Sequence, residues 1–374
     1  MTSANALATA RRLVVKIGSS LLVDETSGAL HQAWLDGVCD DIAELQKGGR
    51  DVIIVTSGAI AIGRGPLGLR GRKLRLEEKQ AAAATGQSRL TQAYQNSLDR
   101  HGLTVAQVLV TLDDTENRRR YLNARNTLDT LLKLRAVPVI NENDTVATAE
   151  IRFGDNDRLA ARVAQMISAD TLVLLSDIDG LYTADPRQNA DAKLVHEVRE
   201  ITPAVEAMAG VAGSDHGSGG MVTKIMAAKI SLQAGCRMAI APGKPMRPLR
   251  VLNDNGRCTW FLPAAEPRAA RKQWIGGGLQ PAGVLTVDEG AVAALQNGKS
   301  LLPAGVTAVT GQFERGDAVE VRTADGRVIG RGLTAYAAAD VQAIKGQQSD
   351  DIENILGFRG RSEVIHRDDL AIGI

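Results

Sequence analysis

Ala136-Val-Pro-Val-Ile140 runs directly into Asn141-Glu-Asn-Asp-Thr-Val-Ala-Thr-Ala-Glu-Ile-Arg-Phe-Gly-Asp-Asn-Asp157. The first five residues are the short apolar run of a buried parallel strand, whose carboxyl end opens on a crevice. The polar run from Asn141 is denser in carboxylates and asparagines than a connection needs, since Gly, Pro, Ser and one or two Asx residues suffice for a turn. Carboxylates crowded together repel one another unless a cation or an amine relieves them. A solvated acidic loop is the plainer reading. A site for a ligand with a positive group, a metal, or both accounts for more of these residues.

Outward from this stretch, β-type apolar runs alternate with helix-period segments. The runs predict strands over Leu13 to Ile17, Val52 to Thr56, Thr104 to Val110, Val137 to Asn141, Thr171 to Ser176 and Arg237 to Ala241. Leu35, Val38, Ile42 and Leu45 recur at helical spacing before Gly48-Gly49, and further helices fit Glu77 to Arg100, Thr115 to Leu134, Asp157 to Ile167 and Met221 to Ala234. Such alternation implies an α/β fold: a three-layer αβα sandwich with a mostly parallel central sheet. Near Pro263 the texture changes. Prolines 263, 267 and 281 bracket a basic segment and Gly276-Gly-Gly278, which has the composition of a linker. Beyond it, short β-like runs with Gly and Asp-Gly turns predict a small β-rich domain. The expected organisation is a catalytic domain over 1–262, a linker over 263–280, and a small domain with its tail over 281–374.

At 374 residues the chain suits one large domain and a smaller one. A formal net charge of +1 supplies no global attraction to nucleic acid or membrane. The three cysteines, Cys39, Cys236 and Cys258, form no C-x-x-C pair and fit a reducing, cytoplasmic location. No apolar stretch approaches the length of a membrane span, and the first residues lack the strong hydrophobes of a signal peptide.

Four segments carry chemistry. Val14-Val-Lys-Ile-Gly-Ser-Ser20 places a lysine at a strand end beside a glycine that lets a polyanion approach the backbone. Val55-Thr-Ser-Gly-Ala-Ile60 ends another strand with Ser57 opening a helix, either an anion site or an ordinary cap. The acidic run is the third. Gly217-Ser-Gly-Gly-Met-Val-Thr-Lys224 is a glycine-rich entry to a helix whose N–H groups can converge on phosphate, with Lys224 adding a point charge. Ser176-Asp177 closes a further strand where nucleoside or metal contacts fit. Gly63-Arg-Gly-Pro-Leu-Gly68 matches the dinucleotide fingerprint only formally: it does not follow its strand directly, Pro66 stiffens it, and no acidic residue stands some twenty positions on. His31, His101, His196, His216 and His366 are scattered, without the pairing of metal ligands.

With these segments in this order, the chain resembles the amino acid kinase family, and within it the kinases that act on the side chain of glutamate, with a PUA domain at the C-terminus. The resemblance spans nearly the whole length. It implies transfer of the γ-phosphoryl group of ATP, with Mg²⁺, to the side-chain carboxylate of L-glutamate. The products are L-glutamyl 5-phosphate and ADP, and the step is the first of proline biosynthesis. It also implies a cytoplasmic homo-oligomer, dimer or tetramer, inhibited by L-proline. By resemblance, Lys16 and Lys224 are the catalytic cations with Asp157 as their counter-ion. Gly18, Ser19, Ser176, Asp177, Ser218, Gly219, Gly220, Met221, Val222 and Thr223 join both lysines around ATP, while Ser57, Asp144 and Asn156 bind glutamate. The metal ligands stay open. A carboxylate acceptor is already ionised at neutral pH, with a reference pKa of about 4.3, so the reaction needs no general base.

PUA folds suggest RNA as a competing partner. From Pro281 to Ile374, however, nine Lys and Arg stand against thirteen Asp and Glu, a net charge of −4, which disfavours RNA binding. A kinase for a different small acid is the other alternative.

Overall fold

The computed structural model describes residues 7–24, 26–147, 156–210 and 220–373. Two compact units emerge, Met1–Glu116 with Ala124–Pro267, and Asn117–Asn123 with Arg268–Ile374.

The first runs through β1 (Arg12–Ile17), α1 (Ser19–Leu22), α2 (Gln32–Lys47), β2 (Asp51–Thr56), α3 (Ala59–Arg64), α4 (Leu76–Asp99), β3 (Val105–Val110) and α5 (Leu112–Glu116). It continues with α6 (Arg118–Lys133), whose residues up to Asn123 count with the second unit, β4 (Val137–Glu142), α7 (Asn156–Met166), β5 (Thr171–Ser176), β6 (Leu181–Tyr182), β7 (Leu194–Val195) and β8 (Glu197–Val198). Then come α8 (Pro203–Met208), α9 (Met221–Gln233), β9 (Arg237–Pro242), α10 (Pro248–Asn253) and β10 (Thr259–Phe261). The six strands expected from apolar runs are all present. Thr115 to Leu134 is not one helix, because Asn117 interrupts it and accepts the Arg120 N–H at 3.2 Å, opening α6 with an Asx cap.

The sheet order is β3-β4-β2-β1-β5-β9-β10-β8. β1 pairs in parallel with β2 on one side and β5 on the other; β10 pairs antiparallel with β9, and β8, parallel to β10, shares its direction. All six residues of β4 and of β5 are buried, as strands covered on both faces must be. The chain builds first to one side of β1 and then to the other. The carboxyl end of β1 is therefore where strand order reverses, the place at which open α/β sheets bind ligands.

The second unit holds α11 (Pro267–Gly278), β11 (Gly283–Val287), α12 (Glu289–Gln296), β12 (Val306–Gly311), β13 (Ala318–Thr323), β14 (Val328–Leu333), α13 (Ala338–Ile344), α14 (Ile352–Leu356) and β15 (Leu370–Ile372). Its sheet, ordered β12-β11-β13-β14-β15, covers a separate core that includes Leu285, Val319, Val321 and Ile344. The stretch 263–280, expected from its composition to be a linker, instead carries α11. Ile275 is fully buried there, and Arg271 pairs with Asp369 at 2.6 Å while donating to the Tyr121 hydroxyl at 3.2 Å. No described helix is long and apolar enough to cross a membrane.

Candidate active site

Lys16 is the fifth residue of β1, and its backbone lies opposite Val55 of β2 and Leu174 of β5. A lysine among apolar residues at this depth must find a counter-charge. Asp157, in the first turn of α7, supplies it with Lys16 Nζ 2.6 Å from Oδ1. Lys224, in the first turns of α9, reaches the other oxygen, Oδ2, at 3.0 Å, and the Thr223 hydroxyl donates to the same atom at 3.2 Å. The carboxylate is 0% exposed, and both lysines are buried. Burial pushes the Asp157 carboxyl up, but the ammonium groups of Lys16 and Lys224 outweigh it and hold the group below its ordinary range. Three charged side chains from distant segments thus meet at the reversal point, two positive and one negative.

Several phosphate-binding candidates lie in the two turns beside these lysines. A Cβ added to Gly18 would stand 3.8 Å from Lys16 Nζ, so the β1–α1 turn passes beside the ammonium. Ser19 is exposed next to it. Gly220 caps α9, and Met221, Val222, Thr223 and Lys224 form its opening turn. Ser218 and Gly219 lie outside the described residues. Ser176 ends β5, next to β1 in the sheet, and donates to Asp177 at 3.0 Å. Gly58 begins α3 in the left-handed region at φ 102°, which a side chain would resist.

A second cluster adjoins the trio through consecutive residues, since Asn156 precedes Asp157. Asn156 Nδ2 donates to Thr56 O at 2.6 Å, Ser57 Oγ at 2.8 Å and Asn141 Oδ1 at 2.9 Å. Asp144 is half-buried in the turn after β4. The fold therefore brings Ser57, Asn156 and Asp157 together from distant segments. Asn141 and Thr56 lie in segments singled out from the sequence but received no individual role, and Gln87 and Tyr94 were not singled out; all four are buried and hydrogen-bonded behind this cluster. The available signal was a Gln and a Tyr two turns apart on one long helix.

The chain belongs to the amino acid kinase family, whose profile matches residues 11–242, and it carries a PUA domain matched over residues 283–356. Relatives of known name are more particular. The chain is 66% identical over 366 residues to a glutamate 5-kinase of Paramagnetospirillum magneticum, covering 98% of this chain and 99% of that one. It is 61% identical over 363 residues to a glutamate 5-kinase of Rhodopseudomonas palustris, covering 97% and 96% respectively. Among solved structures, a carbamate kinase from Giardia lamblia bound to AMP-PNP aligns with a TM-score of 0.50 at 13% identity. It covers 68% of this chain and 99% of that chain, a likeness of fold alone.

Proposed function

We propose that the chain is a glutamate 5-kinase, moving the γ-phosphoryl group of ATP to the side-chain carboxylate of L-glutamate. The products are L-glutamyl 5-phosphate and ADP, at the first step of proline biosynthesis. The observation that carries this reading is the buried Lys16–Asp157–Lys224 trio, joined through Asn156 to Ser57. It stands beside the high identity to glutamate 5-kinases.

The acceptor is an anion and so is the nucleotide, so catalysis consists of relieving their repulsion, holding them in line, and stabilising charge on the transferring group. Lys16 and Lys224 are assigned to that charge. Asp157 is the positioning counter-ion that fixes both ammonium groups. Gly18, Ser19 and the loop from Ser218 to Lys224 take the phosphates, and Ser176 and Asp177 the rest of the nucleotide. Ser57, Asp144 and Asn156 take glutamate, with Asp144 facing its α-ammonium. Mg²⁺ enters with ATP as part of the co-substrate. L-Proline shares a carboxylate and a cationic nitrogen with glutamate and is assigned overlapping contacts as an inhibitor. Catalysis belongs to the first unit. Hydroxylamine trapping with ATP and L-glutamate, L-aspartate or N-acetyl-L-glutamate tests the substrate. A hydroxamate from glutamate well above the other two is expected, and none above a blank without enzyme would refute the reading.

A further inference from the structure

Gln80, Gln87 and Tyr94 stand at seven-residue intervals on α4, two helical turns apart each time, and so share one face. Each touches the wall of the amino-acid site at a different point. Gln80 Nε2 donates to Ala147 O at 3.2 Å, beyond Asp144 in the same turn region. Gln87 Oε1 accepts from Asn141 Nδ2 at 2.9 Å, and the Tyr94 hydroxyl meets Thr56 Oγ1 at 2.9 Å.

The middle contact belongs to a chain of amides whose direction is fixed. Asn141 Oδ1 accepts the backbone N–H of Glu142 at 2.9 Å, and Asn156 Nδ2 donates to the backbone carbonyl of Thr56 at 2.6 Å. A backbone N–H cannot accept and a backbone carbonyl cannot donate, so neither amide can be flipped without losing a bond. Asn141 must turn its nitrogen to Gln87 and its oxygen to Asn156. Asn156 must turn its nitrogen toward Thr56, Ser57 and Asn141, its two N–H groups shared among the three acceptors. Its Oδ1 receives no donor from the described residues. Ser57 Oγ accepts from Asn156, which leaves its hydroxyl proton to donate.

We propose that Gln87 is a positioning residue for substrate selection: by accepting from Asn141 Nδ2 it anchors the Asn141 side chain, whose Oδ1 takes an N–H of Asn156, so that Asn156 keeps its carbonyl oxygen for the substrate α-ammonium and Ser57 its proton for the α-carboxylate. This rests on the glutamate reading above. Gln87 itself touches no substrate. Without its acceptor oxygen the buried Asn141 nitrogen lacks a partner, and the Asn141 side chain is held only through its oxygen.

The test compares binding of L-glutamate with binding of glutarate, which lacks the ammonium, by calorimetry on the full chain. Wild type is expected to prefer glutamate. Gln87→Met should cut that preference by roughly five-fold or more, while Gln87→Glu, which keeps an acceptor, restores it to within about three-fold. In turnover, Gln87→Met should raise KM for glutamate and leave KM for ATP nearly unchanged. A folded Gln87→Met protein that keeps the wild-type preference overturns this inference alone. Wild type that binds glutamate no better than glutarate overturns the substrate reading as well. Equal rises in both KM values, unrelieved by Gln87→Glu, would reduce Gln87 to a purely structural residue.

Discussion

Two ammonium groups share the Asp157 carboxylate, and that sharing sets what each residue can do. On the proposed assignment of both lysines to charge on the transferring group, Lys16→Ala or Lys224→Ala is expected to lower kcat by roughly 10² or more. A change confined to KM would contradict the assignment. Asp157→Asn leaves two buried ammonium groups facing a neutral amide and should cost about 3–5 kcal/mol of stability, read by urea unfolding. The lowered carboxyl sets the sign with pH. Its folded-state pKa lies below 3.8, so the stabilisation is complete above that value and is lost as pH falls through the folded-state value. From pH 5 to 8 this group contributes no slope. Below about pH 4 the wild type should lose stability more steeply than Asp157→Asn; equal acid slopes would show that the ion pairs contribute nothing.

Among the elements, the α3–α4 crossing shows how the formal dinucleotide match is used. A Cβ on Gly63 would stand 1.8 Å from Ala82 O, and one on Gly86 would stand 1.8 Å from Ala59 O, so the two helices meet backbone to backbone. Gly63→Ala should destabilise by roughly 1–3 kcal/mol or more, measured as a fall in Tm. An unchanged Tm would mean the helices separate at no cost. This contact fixes α4, and with it the Gln80–Gln87–Tyr94 face.

Legibility differed by element for physical reasons. Strands buried on both faces, such as β4 and β5, announce themselves as apolar runs. The three-residue β10 does not, since it is held by tertiary bonds: Thr259 Oγ1 accepts from Leu181 N at 2.7 Å and donates to Val195 O at 2.6 Å. Prolines and Gly276–Gly278 disguised α11, whose order comes from burying Ile275 and pairing Arg271 with Asp369. In the site, Lys16 and Lys224 stood out as a strand-end lysine and a charge at a glycine-rich helix entry, and the acidic run marked the neighbourhood of Asp157, whose pairing with both was expected by resemblance. Gln87 and Tyr94 did not stand out, because a polar residue on an alanine-rich helix carries no mark of the direction it faces.

On the scale of the whole molecule, the sheet delivers β1, β2, β4 and β5 to one edge, and the proposed chemistry draws on residues of the first unit. The second unit has its own sheet and core and, over residues 281–374, a net charge of −4. Phosphate neutralisation calls for the opposite sign, so a role in regulation or assembly fits it better than RNA binding. In the proposed reaction a glutamate side-chain oxygen attacks the γ-phosphorus of ATP. L-Glutamate labelled with ¹⁸O in its side-chain carboxylate, turned over with MgATP and trapped with hydroxylamine, tests it most directly. Hydroxylamine takes the acyl carbon and releases phosphate with the former bridging oxygen. Phosphate carrying one ¹⁸O in step with hydroxamate is expected, whereas ADP formation with unlabelled phosphate would mean that water, not glutamate, accepts the phosphoryl group.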